Sequence, residues 1–104
     1  MLHDPARVAD TKTWLAKASS DLRAGAHALT ADPPFTGDAV FHAQQAAEKA
    51  FKGFLAWHDV LFGKTHDFAR LGHQCTEAES ALALARDVYE AVLGRLPEEV
   101  RSGE

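Results

Sequence analysis

Apolar residues return every three or four positions along most of this chain, and in no stretch do they alternate with a period of two. The first spacing marks one face of an α-helix, whereas the second would indicate a half-buried β-strand. The sequence therefore predicts an all-α protein. Its 104 residues fit one small domain, and we expect a single domain over 1–104 whose core runs from about residue 10 to residue 97.

The first predicted helix follows a short polar lead-in. Asp10 or Thr11 is expected to cap it, because a side-chain oxygen there can accept a free backbone N–H. Gly25 costs this helix about 1 kcal/mol relative to alanine, so we expect another helix to approach closely at that point. Asp32-Pro33-Pro34 ends the helix, since proline disfavours helical geometry in the residue before it. The apolar stripe consists of Trp14, Leu15, Ala18, Leu22, Ala26 and Leu29.

The second predicted helix begins after Thr36-Gly37, with Asp38 as its cap. Small and aromatic residues share its apolar side, so a partner helix can come near while the rings fill the remaining volume. We therefore expect this helix at the centre of the core. Trp57 lies off the stripe and is expected to mark a partner surface. The stripe consists of Val40, Phe41, Ala43, Ala47, Ala50, Phe51, Phe54, Leu55 and His58.

Two further helices are predicted in the C-terminal half. Thr65 can cap a short third helix, and Thr76 with Glu79 fits a capping box at the start of the last one. Because no Gly or Pro lies between His73 and Leu93, the two helices can also be one continuous helix. The third helix carries Phe68, Leu71 and Cys75, and the last one carries Ala81, Leu84, Ala85, Val88, Val92 and Leu96.

Pro97 is expected to stop the last helix, and residues 98–104 are expected to form a polar tail. Four helices with short connections imply antiparallel neighbours. The predicted fold is therefore an antiparallel up-down four-helix bundle with a short third helix.

Composition narrows the classes of function. The formal net charge of −4 argues against sequence-independent electrostatic binding of nucleic acid over a large surface, although a local basic pocket is compatible with this charge. Cys75 is the only cysteine and cannot form an internal disulfide, and the N-terminus has no apolar leader. Both features predict a cytoplasmic protein. No apolar run approaches the roughly 20 residues that a membrane span needs.

Charged residues on the predicted solvent-exposed side of the second helix are the first candidate site. Lys49 and Lys52 lie about one turn apart, so both can face one ligand phosphate or one partner carboxylate. The alternative is a solvated face on which Glu48 and Lys52 form an ion pair between residues i and i+4.

Thr65-His66-Asp67 is the second candidate site. His66 can carry a proton while the carboxylate of Asp67 orients its ring. The alternative is that Thr65 and Asp67 only start the third helix, where a capping oxygen and an acid are both favourable.

A small metal-binding bundle is a further alternative, because several ligand-type residues can converge in a helical bundle. They are His42, His58, His66, His73 and Cys75. However, the sequence has no Glu-x-x-His, His-x-x-x-His or Cys-x-x-Cys pair, which are the usual ligand spacings. We therefore expect no metal and no other cofactor.

The run FHAQQAAEKAFKGFL at residues 41–55, followed by Thr65-His66-Asp67-Phe68 and Leu71, resembles the HEPN domain family, named for higher eukaryotes and prokaryotes, nucleotide-binding. The first helix adds the pattern Trp14-x-x-Lys17-Ala18-x-x-Asp21-Leu22, and the resemblance covers about residues 10–73. It implies an antiparallel bundle of four or five helices that is usually dimeric. It also implies a minimal nucleotidyltransferase as partner, many such pairs being toxin and antitoxin.

Many members of this family are metal-independent ribonucleases that use an Arg and a His with four to six residues between them, near the last helices. This sequence departs from that pattern. Arg23 and His27 have only three residues between them, and the predicted last helix contains no His.

We therefore expect a non-catalytic or degenerate binding partner of a minimal nucleotidyltransferase, without catalytic residues. The resemblance implies nucleotide or RNA as its ligand, and the candidate contact residues are Lys49, Lys52, His66 and Asp67. The alternative is a metal-independent endoribonuclease with a relocated pair, either Arg23 with His27 or Arg70 with His66.

Overall fold

The computed structural model describes residues 4–58 and 77–101, and all regular structure in these two ranges is helical. Helix α1 spans Pro5–Ala28, α2 spans Thr36–Trp57, α3 spans Ala78–Gly94, and the short α4 spans Glu98–Arg101. The prediction of an all-α helical bundle is confirmed. The predicted short third helix after Thr65 lies outside the described residues. No helix in the described ranges is both long and apolar enough to span a bilayer.

Helix α1 begins at Pro5, well before the predicted caps Asp10 and Thr11, so that prediction is wrong. Asp4 is the N-cap, and its carboxylate accepts a hydrogen bond from the N–H of Ala6 at 3.0 Å. Pro5 occupies the first turn, where its missing N–H costs nothing. Thr11, offered as a cap, is instead buried inside the helix.

The starts of α2 and α3 also differ from the predictions. Phe35 is the N-cap of α2 and makes no side-chain hydrogen bond, while Asp38 lies in the first turn, where the helix dipole still favours an acid. Glu77 is the N-cap of α3, so the predicted capping box with Thr76 as cap is wrong. Ser80 Oγ instead donates to the carboxylate of Glu77 at 3.2 Å.

Helix α2 is the centre of the core, as predicted, because it packs against both α1 and α3. Its small residues are the most deeply buried, whereas Phe41, predicted on the apolar stripe, is 55% exposed. Trp57 is buried in the core and does not mark a partner surface, so that prediction is wrong. The buried residues of α2 are Ala39, Ala43, Ala46, Ala47, Ala50, Gly53, Leu55 and Trp57.

The packed part of the chain continues beyond residue 97. Helix α3 ends at Gly94, and after Pro97 the chain forms α4, whose Val100 is 1% exposed. Helix α4 contacts α1. The prediction of a polar tail from residue 98 therefore does not hold for residues 98–101, because one apolar side chain among charged ones is enough to anchor this turn.

Glycines allow the helices to approach one another closely. A methyl group added at Gly25 would lie 2.6 Å from Leu82 Cδ2 and 3.4 Å from the carbonyl oxygen of Ala39. One added at Gly53 would lie 3.2 Å from Trp14 Cβ. These contacts show that α1 and α2 run antiparallel, and they confirm the predicted close approach at Gly25.

We expect Gly25→Ala to lower the free energy of unfolding by about 1–2 kcal/mol. Overlap with the buried Leu82 should outweigh the roughly 1 kcal/mol that alanine gains in helix propensity. Gly37→Ala is the matched control, because nothing lies within 4 Å of its added methyl group. Urea denaturation measures both variants, and equal stability of the two would contradict the close packing.

Candidate functional site

A buried carboxylate lies between α1 and α2. Asp21 is only 8% exposed, and each of its two oxygens has a partner on α2. Oδ1 lies 2.8 Å from His42 Nδ1, and Oδ2 accepts a hydrogen bond from Lys49 Nζ at 2.6 Å. We refer to Asp21, His42 and Lys49 as the interhelical cluster.

The positions of these residues follow from helix geometry. Asp21 shares the buried side of α1 with Leu15, Ala18 and Leu22. His42 and Lys49 are seven residues apart, which is two turns of α2, so they lie on the same side of that helix and bracket the carboxylate. A buried carboxylate is costly unless it is paired and hydrogen-bonded, and both partners here are partly exposed at the edge of the contact.

The contact with Asp21 also sets the hydrogen positions on His42. A carboxylate can only accept, so Nδ1 of His42 carries the hydrogen in this bond. The other ring nitrogen, Nε2, is then the one that can accept a hydrogen bond or a proton from another group. The ring is held from a second side by Phe41, whose centroid lies 5.4 Å away in an edge-to-face arrangement. An oriented, partly exposed imidazole of this kind can act in proton transfer.

A second group of side chains lies at the other end of the same contact. Lys52 Nζ is 3.6 Å from Glu48 Oε1, so the predicted ion pair between residues i and i+4 is confirmed. The same ammonium lies 5.1 Å from the centroid of the Trp14 ring, and Lys17 Nζ lies 5.2 Å from it. Cation–π contacts of this length contribute about 0.5–1 kcal/mol each at exposed sites.

The two candidate lysines therefore have different partners. Lys49 reaches Asp21, whereas Lys52 reaches Trp14, two turns away along α1, a separation of about 10 Å along the helix. Lys49 is held by a short bond to a buried charge, while Lys52 makes a long ion pair and a ring contact. His66 and Asp67, the other two candidates, lie outside the described residues.

The metal-binding alternative finds no support in the described ranges, which contain no group of three or more His, Cys, Asp or Glu side chains arranged to hold an ion. His42 is engaged by Asp21, and the ring of His58 lies 4.5 Å from that of Phe54. The remaining ligand-type candidates are His66, His73 and Cys75, all outside the described residues.

Comparison with known families gives a clear result. The sequence model of the HEPN domain family matches residues 11–79, about two thirds of the chain. The chain belongs to the HEPN domain family. The matched range of this HEPN domain includes all of α2, most of α1 and every residue of the interhelical cluster. No curated protein and no solved structure is significantly similar to it.

Sequence reasoning passed over three residues that the structure of this HEPN domain brings together with the lysines. Asp21 belongs to the first-helix pattern but received no role, Trp14 was placed only on the apolar stripe, and His42 was considered only as a metal ligand. The available signal was an acid on an apolar stripe, three residues after Ala18 and next to Leu22. An ionisable residue at such a position needs a partner from another helix.

We expect Asp21→Asn to lower the free energy of unfolding by about 1–2 kcal/mol. Asparagine keeps the size but has one acceptor oxygen, so either His42 or Lys49 would face its NH₂ group. Asp10→Asn, on the exposed side of α1, is the control and should change stability by less than about 0.5 kcal/mol. Chemical denaturation measures both, and equal effects would show that the cluster does not stabilise the fold.

Proposed function

We propose that this HEPN domain is a non-catalytic binding partner of a minimal nucleotidyltransferase, of the toxin–antitoxin kind, with nucleotide or RNA as its ligand. One observation carries the proposal: the chain is a HEPN domain, yet its sequence lacks an Arg and a His with four to six residues between them. A domain that lacks this pair can still use its helical surface to bind. The proposal requires that a nucleotidyltransferase encoded next to this chain copurifies with it.

The relocated Arg and His pair on α1 gives little support to catalysis. Arg23 and His27 are both exposed and lie one turn apart on the same helix. Exposed side chains of this kind do not hold a reacting group in the fixed, water-excluded geometry that efficient catalysis needs. The other suggested pair, Arg70 with His66, lies outside the described residues.

The proposed ligand contacts are Lys49, Lys52, His66 and Asp67, and the geometry favours Lys52 among the described ones. Its 3.6 Å ion pair with Glu48 is long and partly exposed, so a phosphate can compete with that carboxylate for the ammonium. Lys49 would have to leave the buried carboxylate of Asp21, which would then lose a partner. We therefore assign phosphate contact to Lys52 and a supporting role to Lys49.

A metal-independent ribonuclease is the second candidate function, and the contact between Asp21 and His42 is the observation that favours it. The carboxylate fixes the imidazole in one orientation, as the acid does in acid–histidine pairs of hydrolytic enzymes. A nearby cation that stabilises phosphate charge would also be needed, and Lys49 is already bound to the same carboxylate.

Purified protein should leave labelled RNA intact in the presence of a chelator, because the chain has no Arg–His motif with the spacing of the catalytic family members. Gel electrophoresis of the RNA over time checks this prediction. Metal-independent cleavage that His66→Ala abolishes would overturn the non-catalytic proposal. Loss of cleavage in His42→Ala would instead assign activity to the interhelical cluster, and loss in Arg23→Ala or Arg70→Ala would assign it to a relocated pair.

Lys52→Ala should weaken the binding of ATP or a short RNA about fivefold, which corresponds to the roughly 1 kcal/mol of one partly exposed charged contact. Lys12→Ala is the matched control, because Lys12 is an exposed lysine on α1 that does not belong to the proposed site. Calorimetric titration measures both variants. Equal affinities for the two would remove Lys52 from the proposed site.

Two copies of the chain are also proposed to associate, in keeping with the frequent dimers of HEPN domains. A small single-core domain has little apolar surface to bury by itself, and a second copy increases the buried fraction. The structure contains a single chain, so this association rests on the family.

A further inference from the structure

A groove of about 370 Å³ lies between α1 and α3. Two side chains of the packed core form its floor, Leu22 at 7% exposure and Tyr89 at 8%. Exposed residues of both helices border it, so its mouth is accessible to solvent. These bordering residues are Arg23, Ala26, Arg86 and Glu90. We refer to this feature as the arginine groove.

The two arginines lie at nearly the same level of the helix pair. A methyl group added at Gly25 would touch Leu82 near the start of α3, and α4, which follows the end of α3, also contacts α1. Helices α1 and α3 are therefore antiparallel. Arg86 lies four residues after Leu82, level with position 21 of α1, so Arg23 is offset from it by two residues, or about 3 Å along the axis. Two long side chains with this offset, lining one groove, can both reach the same anionic group.

Neither arginine has an acidic partner within residues 4–58 and 77–101. The ion pairs found there use the carboxylates of Asp21 and Glu48. Glu90 lies four residues after Arg86, a spacing that allows an ion pair, but the two residues do not form one. Two guanidinium groups that share a groove repel each other, so an anion bound between them is favourable.

The surroundings of the arginines favour a carboxylate on a protein over the phosphates of a nucleic acid. Glu90 borders the groove and Asp87 is exposed next to Arg86, so a polyanion such as RNA would be repelled there. The floor is formed by apolar and aromatic surface, which an apolar side chain can cover and a phosphate backbone cannot. A protein segment can supply an acid for the arginines, an apolar side chain for the floor and a base for Glu90.

We propose that the arginine groove binds a segment of a partner protein that carries an acidic residue beside an apolar one. The carboxylate accepts hydrogen bonds from Arg23 and Arg86, whose planar guanidinium groups match its geometry. The apolar side chain packs on Leu22 and Ala26. The inference deepens the proposed function and rests on it, since it gives the nucleotidyltransferase a surface on this domain.

Charge reversal tests the arginine groove. Arg23→Glu and Arg86→Glu should each weaken binding of the nucleotidyltransferase at least about tenfold, because each places an acid against the carboxylate of the partner. Arg7→Glu is the matched control, since Arg7 is an exposed arginine near the start of α1 and its reversal changes the net charge equally. It should change the dissociation constant by less than about twofold. Calorimetric titration measures the wild type and the three variants, and circular dichroism verifies that all four are equally helical.

Labelling of a single cysteine gives a test that does not depend on charge. In a Cys75→Ser background, Ala26→Cys places a thiol at the exposed border of the groove. Bound nucleotidyltransferase should slow the reaction of this thiol with a maleimide in proportion to the fraction of protein bound. Ala9→Cys in the same background is the control, exposed near the start of α1, and should react at the same rate with and without the partner.

The outcomes separate the arginine groove from the broader proposal. If the wild type does not bind the nucleotidyltransferase, the proposed partner function fails and this inference fails with it. If the wild type binds, both reversals bind equally well and the Ala26→Cys variant is not protected, the groove alone fails. If both reversals instead weaken binding of a short RNA and leave the protein partner unaffected, the groove binds nucleic acid and the proposed occupant is wrong.

Discussion

The close approach of α1 and α2 is the constraint on which the rest of this HEPN domain depends. Ala18 on α1 and Ala46 and Ala50 on α2 are fully buried, and a methyl group at Gly53 would lie only 3.2 Å from Trp14 Cβ. Small residues at a helix contact bring the two backbones together, so partners at the edges can reach across it. Larger side chains at these positions would separate the helices and expose the carboxylate of Asp21 to water.

The short distance between the helices has a direct effect on charge. Asp21 can be buried because His42 and Lys49 reach it from α2, so these two residues help to stabilise the packing of α1 on α2. The lysine-rich side of α2 is therefore not a uniform basic surface. One ammonium stabilises the fold, and the other, on Lys52, remains at the edge with Glu48 and Trp14.

The two flanks of α2 have different chemistry. Lys49 and Lys52 face α1, while Phe51 and Phe54 line an apolar groove between α2 and α3. The charged flank and the apolar flank lie on different sides of α2, so separate variants can alter one without the other.

The sequence by itself determined the features that depend on local residue spacing and on backbone chemistry. Helical periodicity specified the all-α class and the central position of α2, Gly25 indicated a close neighbour, and Glu48 with Lys52 formed the pair expected one turn apart. The helix starts were predicted less well, because several Asp and Thr residues can cap a helix and only one does.

Tertiary structure alone decided which distant residues meet and which apolar residues are buried. Asp21 and Lys49 are 28 positions apart, and no local pattern indicates that they share a bond. Trp57 and Val100 are buried, while Phe41 and Leu84 are exposed, although all four are apolar. The physical reason is that periodicity defines the faces of each helix, but the packing of one helix on another determines which face is covered.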